Sequence, residues 1–148
     1  MSRATPQMLH FARRLIDYET NGNGAFESPG REAYGICQKL RPHLATLMGN
    51  GGVRGLFARA LALASAEVPW LSAVHVKTDG SLEGMEELHV KRDPGELLEG
   101  GVVMVAQLLG LLVAFIGENL TVSLVRDVWP NARLTTVDFG NGVKNEKS

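Results

Sequence analysis

Four histidines, one cysteine and one glycine-rich step are the places where this 148-residue chain could do chemistry: His10, His43, His75, His89, Cys37 and the run Gly49 to Gly55. A metal site wants two imidazoles one helical turn apart, or a histidine beside a carboxylate or thiolate at ligand spacing. None of the four stands so. His75 and His89 meet only if the chain between them doubles back. No metal and no cofactor are therefore expected. Cys37 lies among Tyr34, Ile36 and Leu40, and a thiol on an apolar helical stripe reads as core rather than nucleophile. A phosphoacceptor histidine in a four-helix phosphotransfer bundle is followed by Lys and Gly three and four residues on. After His10 those places hold Arg13 and Arg14, and the bulk of Arg14 departs from that pattern.

Gly49 to Gly55, GNGGVRG, precedes an apolar-periodic stretch, so backbone N–H groups at a helix start could hold an anion with help from Arg54. Gly51, Gly52 and Arg54 are the residues of that candidate loop. Neither GxxxxGK[ST] nor GxGxxG is present, and no strand precedes the run, so a sharp interhelical turn is the plainer meaning. Residues 1–59 hold eight Arg/Lys against four Asp/Glu, and residues 60–148 hold seven against twelve. The halves thus carry opposite charge, while the net charge is −1. No global field draws in nucleic acid or anionic lipid, and mutual neutralisation within one domain accounts for the asymmetry.

The elements that must position these residues read as helices. Of the residues, 45% are hydrophobic and 6% aromatic, with Ala, Leu and Val in the lead, a mix that favours close-packed helices. Thr5-Pro6, Ser28-Pro29 and Asp93-Pro94 each place a capping side chain before a proline that fits the first helical position. A first helix is predicted from about Pro6 to Glu19, with Met8, Phe11, Ala12, Leu15 and Ile16 as its apolar stripe. TNGNGAFE, from Thr20 to Glu27, reads as a loop. A second helix begins near Pro29 and is ended or kinked at Pro42, with HLATLM as a short continuation. A third covers about Val53 to Glu67, turning Leu56, Phe57, Ala60, Leu61 and Ala64 inward, and Pro69 stops it. Between 72 and 88, Val74 and Val76 alternate with polar residues and Asp79-Gly80 suits a tight turn, so a small β-hairpin near 72–86 fits. GMEEL fits a helical turn equally.

The stretch Gly100 to Gly117, GGVVMVAQLLGLLVAFIG, contains no charge, and Gln107 is its one strongly polar side chain. It is slightly short for a membrane span, its flanks are acidic, and no Lys/Arg cluster or aromatic belt borders it. It reads as the central helix of a water-soluble core. A straight helix from Pro94 to Trp129 would be about 54 Å long, against about 35–40 Å for a domain of this size, so the helix should either protrude into a partner or break, and the predicted break points are Gly100-Gly101 and Gly117. Gly110, Ala114 and Gly117 share one face of small residues, which lets a second backbone come close. A buried Gln107 needs a hydrogen-bond partner, either a nearby backbone group or a cross-helix mate that fixes register or a dimer. Gln107, Gly110, Ala114 and Gly117 are thus the candidate packing or dimer face.

The fold class expected is mainly α: a compact single-domain bundle of four to six helices over 1–130, with a central apolar C-terminal helix and a mobile polar tail over 131–148. One cysteine and an N-terminus without a signal-like apolar core suggest the cytoplasm. With no catalytic constellation, the expectation is a non-enzymatic interaction, regulatory or adaptor module that binds a protein partner or itself as a homodimer, without nucleic acid or membrane. The alternatives are a helical domain binding an apolar small molecule, with Gln107 or a histidine as polar anchor, and an anion- or nucleotide-handling protein using Gly49 to Gly55.

Overall fold

A computed structural model describes residues 5–23, 31–77, 82–84, 87 and 93–129. The Ser28-Pro29 start, the Asp79-Gly80 turn, His89 and the tail 131–148 lie outside them. In order come α1 (Pro6–Asn23), α2 (Arg31–Glu67), a 3-10 turn (Pro69–Ala73), β1 (His75–Val76), β2 (Leu82–Glu83), α3 (Pro94–Ile116) and α4 (Glu118–Val128). The chain is mainly α, with α3 at its centre: α1 and α2 each make their largest contact with α3, and α4 packs on α3 and α2.

Two of the proline-linked starts are built as the capping chemistry requires. The Met8 N–H donates to Thr5 Oγ1 at 3.1 Å, and the Glu96 N–H donates to Asp93 Oδ1 at 2.8 Å. Each bond satisfies a donor that the first helical turn leaves unpaired. The stripe Met8, Phe11, Ala12, Leu15 and Ile16 is buried against the core. However, α1 continues past Glu19 to Asn23, so the first four residues of the expected loop complete the helix.

The expectation at Pro42 is also corrected. The backbone keeps helical torsions there, and the break falls at Gly49, with φ 79° and ψ 164°. An interior proline costs about 3 kcal/mol or more. Ile36, Cys37, Leu40 and Leu44 on either side of it are all fully buried. At roughly 1.5–3 kcal/mol for each large side chain, their burial outweighs the missing bond, while Pro42 itself is exposed. Beyond Gly49 the segment 50–67 buries Val53, Leu56, Phe57, Ala60, Leu61 and Ala64. The 3-10 turn then carries Leu71 back into the core. The small hairpin is present, antiparallel, with His75 opposite Glu83 and Val76 opposite Leu82. Buried Val74 and Leu82 anchor it to the helices.

In α3, every residue from 101 to 109 is buried. The helix runs unbroken through Gly100-Gly101, contrary to the predicted break, and turns off only at Gly117. Gly100 has another task. The indole of Trp70 lies against it, and a Cβ at that position would come 2.6 Å from Cη2 and Cζ2 of the ring. At Gly117 the φ of 92° is one that L side chains resist. The Gly117 N–H donates to the Val113 carbonyl at 2.9 Å, closing α3. The Gly117 carbonyl then accepts from the Thr121 N–H at 3.1 Å and from Thr121 Oγ1 at 2.7 Å, opening α4.

Candidate functional site

Gln107 is buried, at 6% exposure, and its Nε2 donates to Glu67 Oε2 at 2.7 Å. The amide in the apolar run is thus met by a side chain 40 residues away, the last of α2. Of the two partners weighed for it, a backbone group and a cross-helix mate, the cross-helix mate is observed, and it lies within the same chain.

The rest of the small-residue face behaves differently. Beyond residue 109 α3 keeps only one side in the core, with Leu112 fully buried, while its sequence stays apolar on the outer side too. Gly110, Leu111 and Val113 are half-buried, and Ala114 and Phe115 are exposed. A Cβ placed on Gly110 or Gly117 would have no atom within 4 Å among the described residues. No backbone of the described chain therefore makes the close approach that glycine and alanine permit at this face. Gln107 points into the fold, whereas Gly110, Ala114 and Gly117 lie along a face that opens outward.

Three large apolar side chains are exposed among the described residues: Phe115 at 60%, Leu47 at 49% and Leu120 at 46%. Phe115 ends α3, Leu120 begins α4, and Leu47 is in the last turn of α2 before the Gly49 kink. Leu47 and Leu120 face each other across a cleft of about 210 Å³, which His43, Leu124 and Asp127 also line. His43 stands on the α2 wall and Asp127 on the α4 wall. Leu47 carries no signal in the sequence, because in HLATLM it is one apolar residue among several, and only the placement of α4 marks it.

A second cleft, of about 340 Å³, opens where α1, the end of α2 and the start of α3 meet. His10 and Arg13 line it from α1, Glu67 from α2, and Glu99, Val102 and Val103 from α3. No group of three His, Cys, Asp or Glu side chains among the described residues is placed to hold one metal ion.

The remaining candidates are spread out. Gly51 and Gly52 are exposed and helical, in the first turn after the Gly49 kink, and Arg54 is exposed just beyond. Gly52 also makes room for Met48, whose Cγ would be 2.9 Å from a Cβ there. Cys37 is fully buried, and desolvation pushes its thiol up to about 12. That is the property of a core residue rather than a nucleophile. α3 is the one described helix long and apolar enough to cross a membrane, and 67% of its apolar stretch is buried inside the fold.

Comparison with protein families, curated proteins and solved structures finds no significant match to this chain.

Proposed function

We propose that this chain is a small cytoplasmic, non-enzymatic interaction module that pairs with a second copy of itself through the corner formed by α4, the end of α3 and residues 43–47 of α2. The observation that carries this reading is that the last turns of α3 stay apolar on their outer side too, which leaves Phe115 at 60% exposure, while Leu47 and Leu120 stand exposed on the walls of the α2–α4 cleft. Apolar side chains grouped at one corner are the usual mark of a contact surface.

A two-fold interface must be complementary to itself. The α2–α4 cleft meets that need, because its two walls carry His43 and Asp127 with leucines for company. Rotation about a two-fold axis brings the imidazole of one copy to the carboxylate of the other and joins the apolar parts. The open faces of Gly110 and Ala114 let the second backbone come close. A regulatory or adaptor role follows from such a surface, since a corner that pairs with itself can also be competed for by another helix.

Sedimentation equilibrium across a concentration series tests the reading. The expected result is a monomer–dimer equilibrium that Phe115→Glu or Leu120→Glu shifts to monomer while circular dichroism and melting of the monomer stay unchanged. A strictly monomeric parent chain over the whole series overturns it, as does a dimer indifferent to both substitutions.

A further inference from the structure

The structure assigns a second, independent site: we propose that the cleft between α1, the end of α2 and the start of α3 binds a small zwitterion, an α-amino acid with an apolar side chain. Two local rules are broken here, one at Glu67, which lines the cleft, and one at Gln107, which does not line it but hydrogen-bonds to Glu67. Glu67 ends α2, where the helix macrodipole disfavours a negative charge. Gln107 puts an amide in the middle of an apolar helix, where an unpaired polar group is costly and a leucine would pack without penalty. The two anomalies are one arrangement: the buried amide donates to Glu67 Oε2 at 2.7 Å and holds the carboxylate at the cleft. Places where several stabilising rules fail together are where function is expected to be found.

The lining selects the ligand. Glu67 and Glu99 offer two carboxylates, Arg13 a guanidinium, and Val102 and Val103 a buried apolar floor. His10 and Arg13 are three residues apart on α1, as Glu99 and Val102 are on α3, so each helix presents one face to the space. A simple cation would meet Arg13, and a simple anion would meet two carboxylates. A zwitterion satisfies both, with its ammonium at Glu67 and Glu99 and its carboxylate on the planar fork of Arg13. The valines receive the side chain. A divalent cation is a poorer fit, since among the described residues no three His, Cys, Asp or Glu side chains are placed to hold one metal ion.

The test is methyl-resolved NMR titration of the full chain with L-leucine, with 3-methylbutylamine, which lacks the carboxylate, and with 4-methylpentanoate, which lacks the amine. Leucine is expected to shift the Val102 and Val103 methyl signals saturably, and each fragment to bind at least about tenfold more weakly. Arg13→Gln and Glu99→Gln alter exposed side chains, so they are expected to melt as the parent does and to lose leucine binding by a similar factor. Absence of a saturable shift overturns the proposal. So does an amine that binds as tightly as leucine, or an Arg13→Gln chain that binds unchanged. None of these results depends on the oligomeric state, so the site and the α2–α4 interface stand or fall separately.

Discussion

Trp70 lies across Gly100 so closely that a single carbon added to the glycine would overlap the indole, at 2.6 Å from two ring atoms. The glycine is a seat for the ring and leaves the helix unbroken. Gly100→Ala is therefore expected to destabilise the fold by about 1–3 kcal/mol, the usual cost of overpacking, read from urea unfolding, and to change the near-ultraviolet dichroism of Trp70. Combining it with Trp70→Leu should recover part of that loss, because two residues in contact do not contribute additively.

Gln107 and Glu67 make a prediction of very different size for two substitutions at one position. Gln107→Leu removes a buried polar group, and half-buried Glu67 can turn to water, so the net change should stay within about 1 kcal/mol. Gln107→Glu sets a second carboxylate against the first in a poorly hydrated place. It should cost about 3 kcal/mol or more near neutral pH, and the deficit should shrink on acidification as one carboxylate takes up a proton. Thermal melts of both variants between mildly acidic and neutral pH check the contrast.

Two glycines of the small-residue face should answer alanine in opposite directions. Gly110 has helical torsions and open space around it, so Gly110→Ala is expected to stabilise the monomer by about 0.5–1 kcal/mol. Gly117 has the same open space but a φ of 92°, and Gly117→Ala should cost about 1–2 kcal/mol from backbone strain alone. Equilibrium unfolding at a concentration low enough to keep the chain monomeric separates the two.

These cases show what a linear reading can and cannot extract. The starts at Thr5 and Asp93 were legible because a cap and its proline act within one turn. The break at Gly49 was legible as a glycine-rich step between two helical stretches, and that at Gly117 from the length a straight helix would need. Gly100 was misread because its reason is a ring thirty positions earlier in the chain. Pro42 was misread because a local penalty was outweighed by burial on both sides of it. Gln107 stood out as an anomaly, but its partner Glu67 did not, since a glutamate at the end of a predicted helix is unremarkable until α3 is laid beside it.

Cys37 predicts alkaline behaviour. Its thiol ionises near the ordinary 9.0 in the unfolded chain but is pushed up to about 12 in the fold by burial. The neutral form is the one the fold holds. Its contribution is thus intact below about pH 9 and is lost progressively as pH rises toward 12, by up to about 4 kcal/mol at 1.36 kcal/mol per unit. Cys37→Ala should flatten that part of the stability profile. Native Cys37 should also resist thiol reagents at neutral pH, reacting at a rate that tracks opening of the fold.

The uninterrupted burial of residues 101–109 has a consequence for how the chain finds one structure. A helix that is oily all the way round carries no amphipathic phase, so its composition does not say which side should face which neighbour. Sliding it by one residue turns it through about 100°, and over that stretch an aliphatic side chain would mostly be exchanged for another. Gly100 and Gln107 are exceptions to that sameness. They are seven residues apart, so they fall nearly in line two turns from each other, and they meet Trp70 and Glu67, neighbours in the exit of α2. A notch and a hydrogen bond on one line therefore set the azimuth of the central helix. The information that orients the core is carried by its two least hydrophobic contacts.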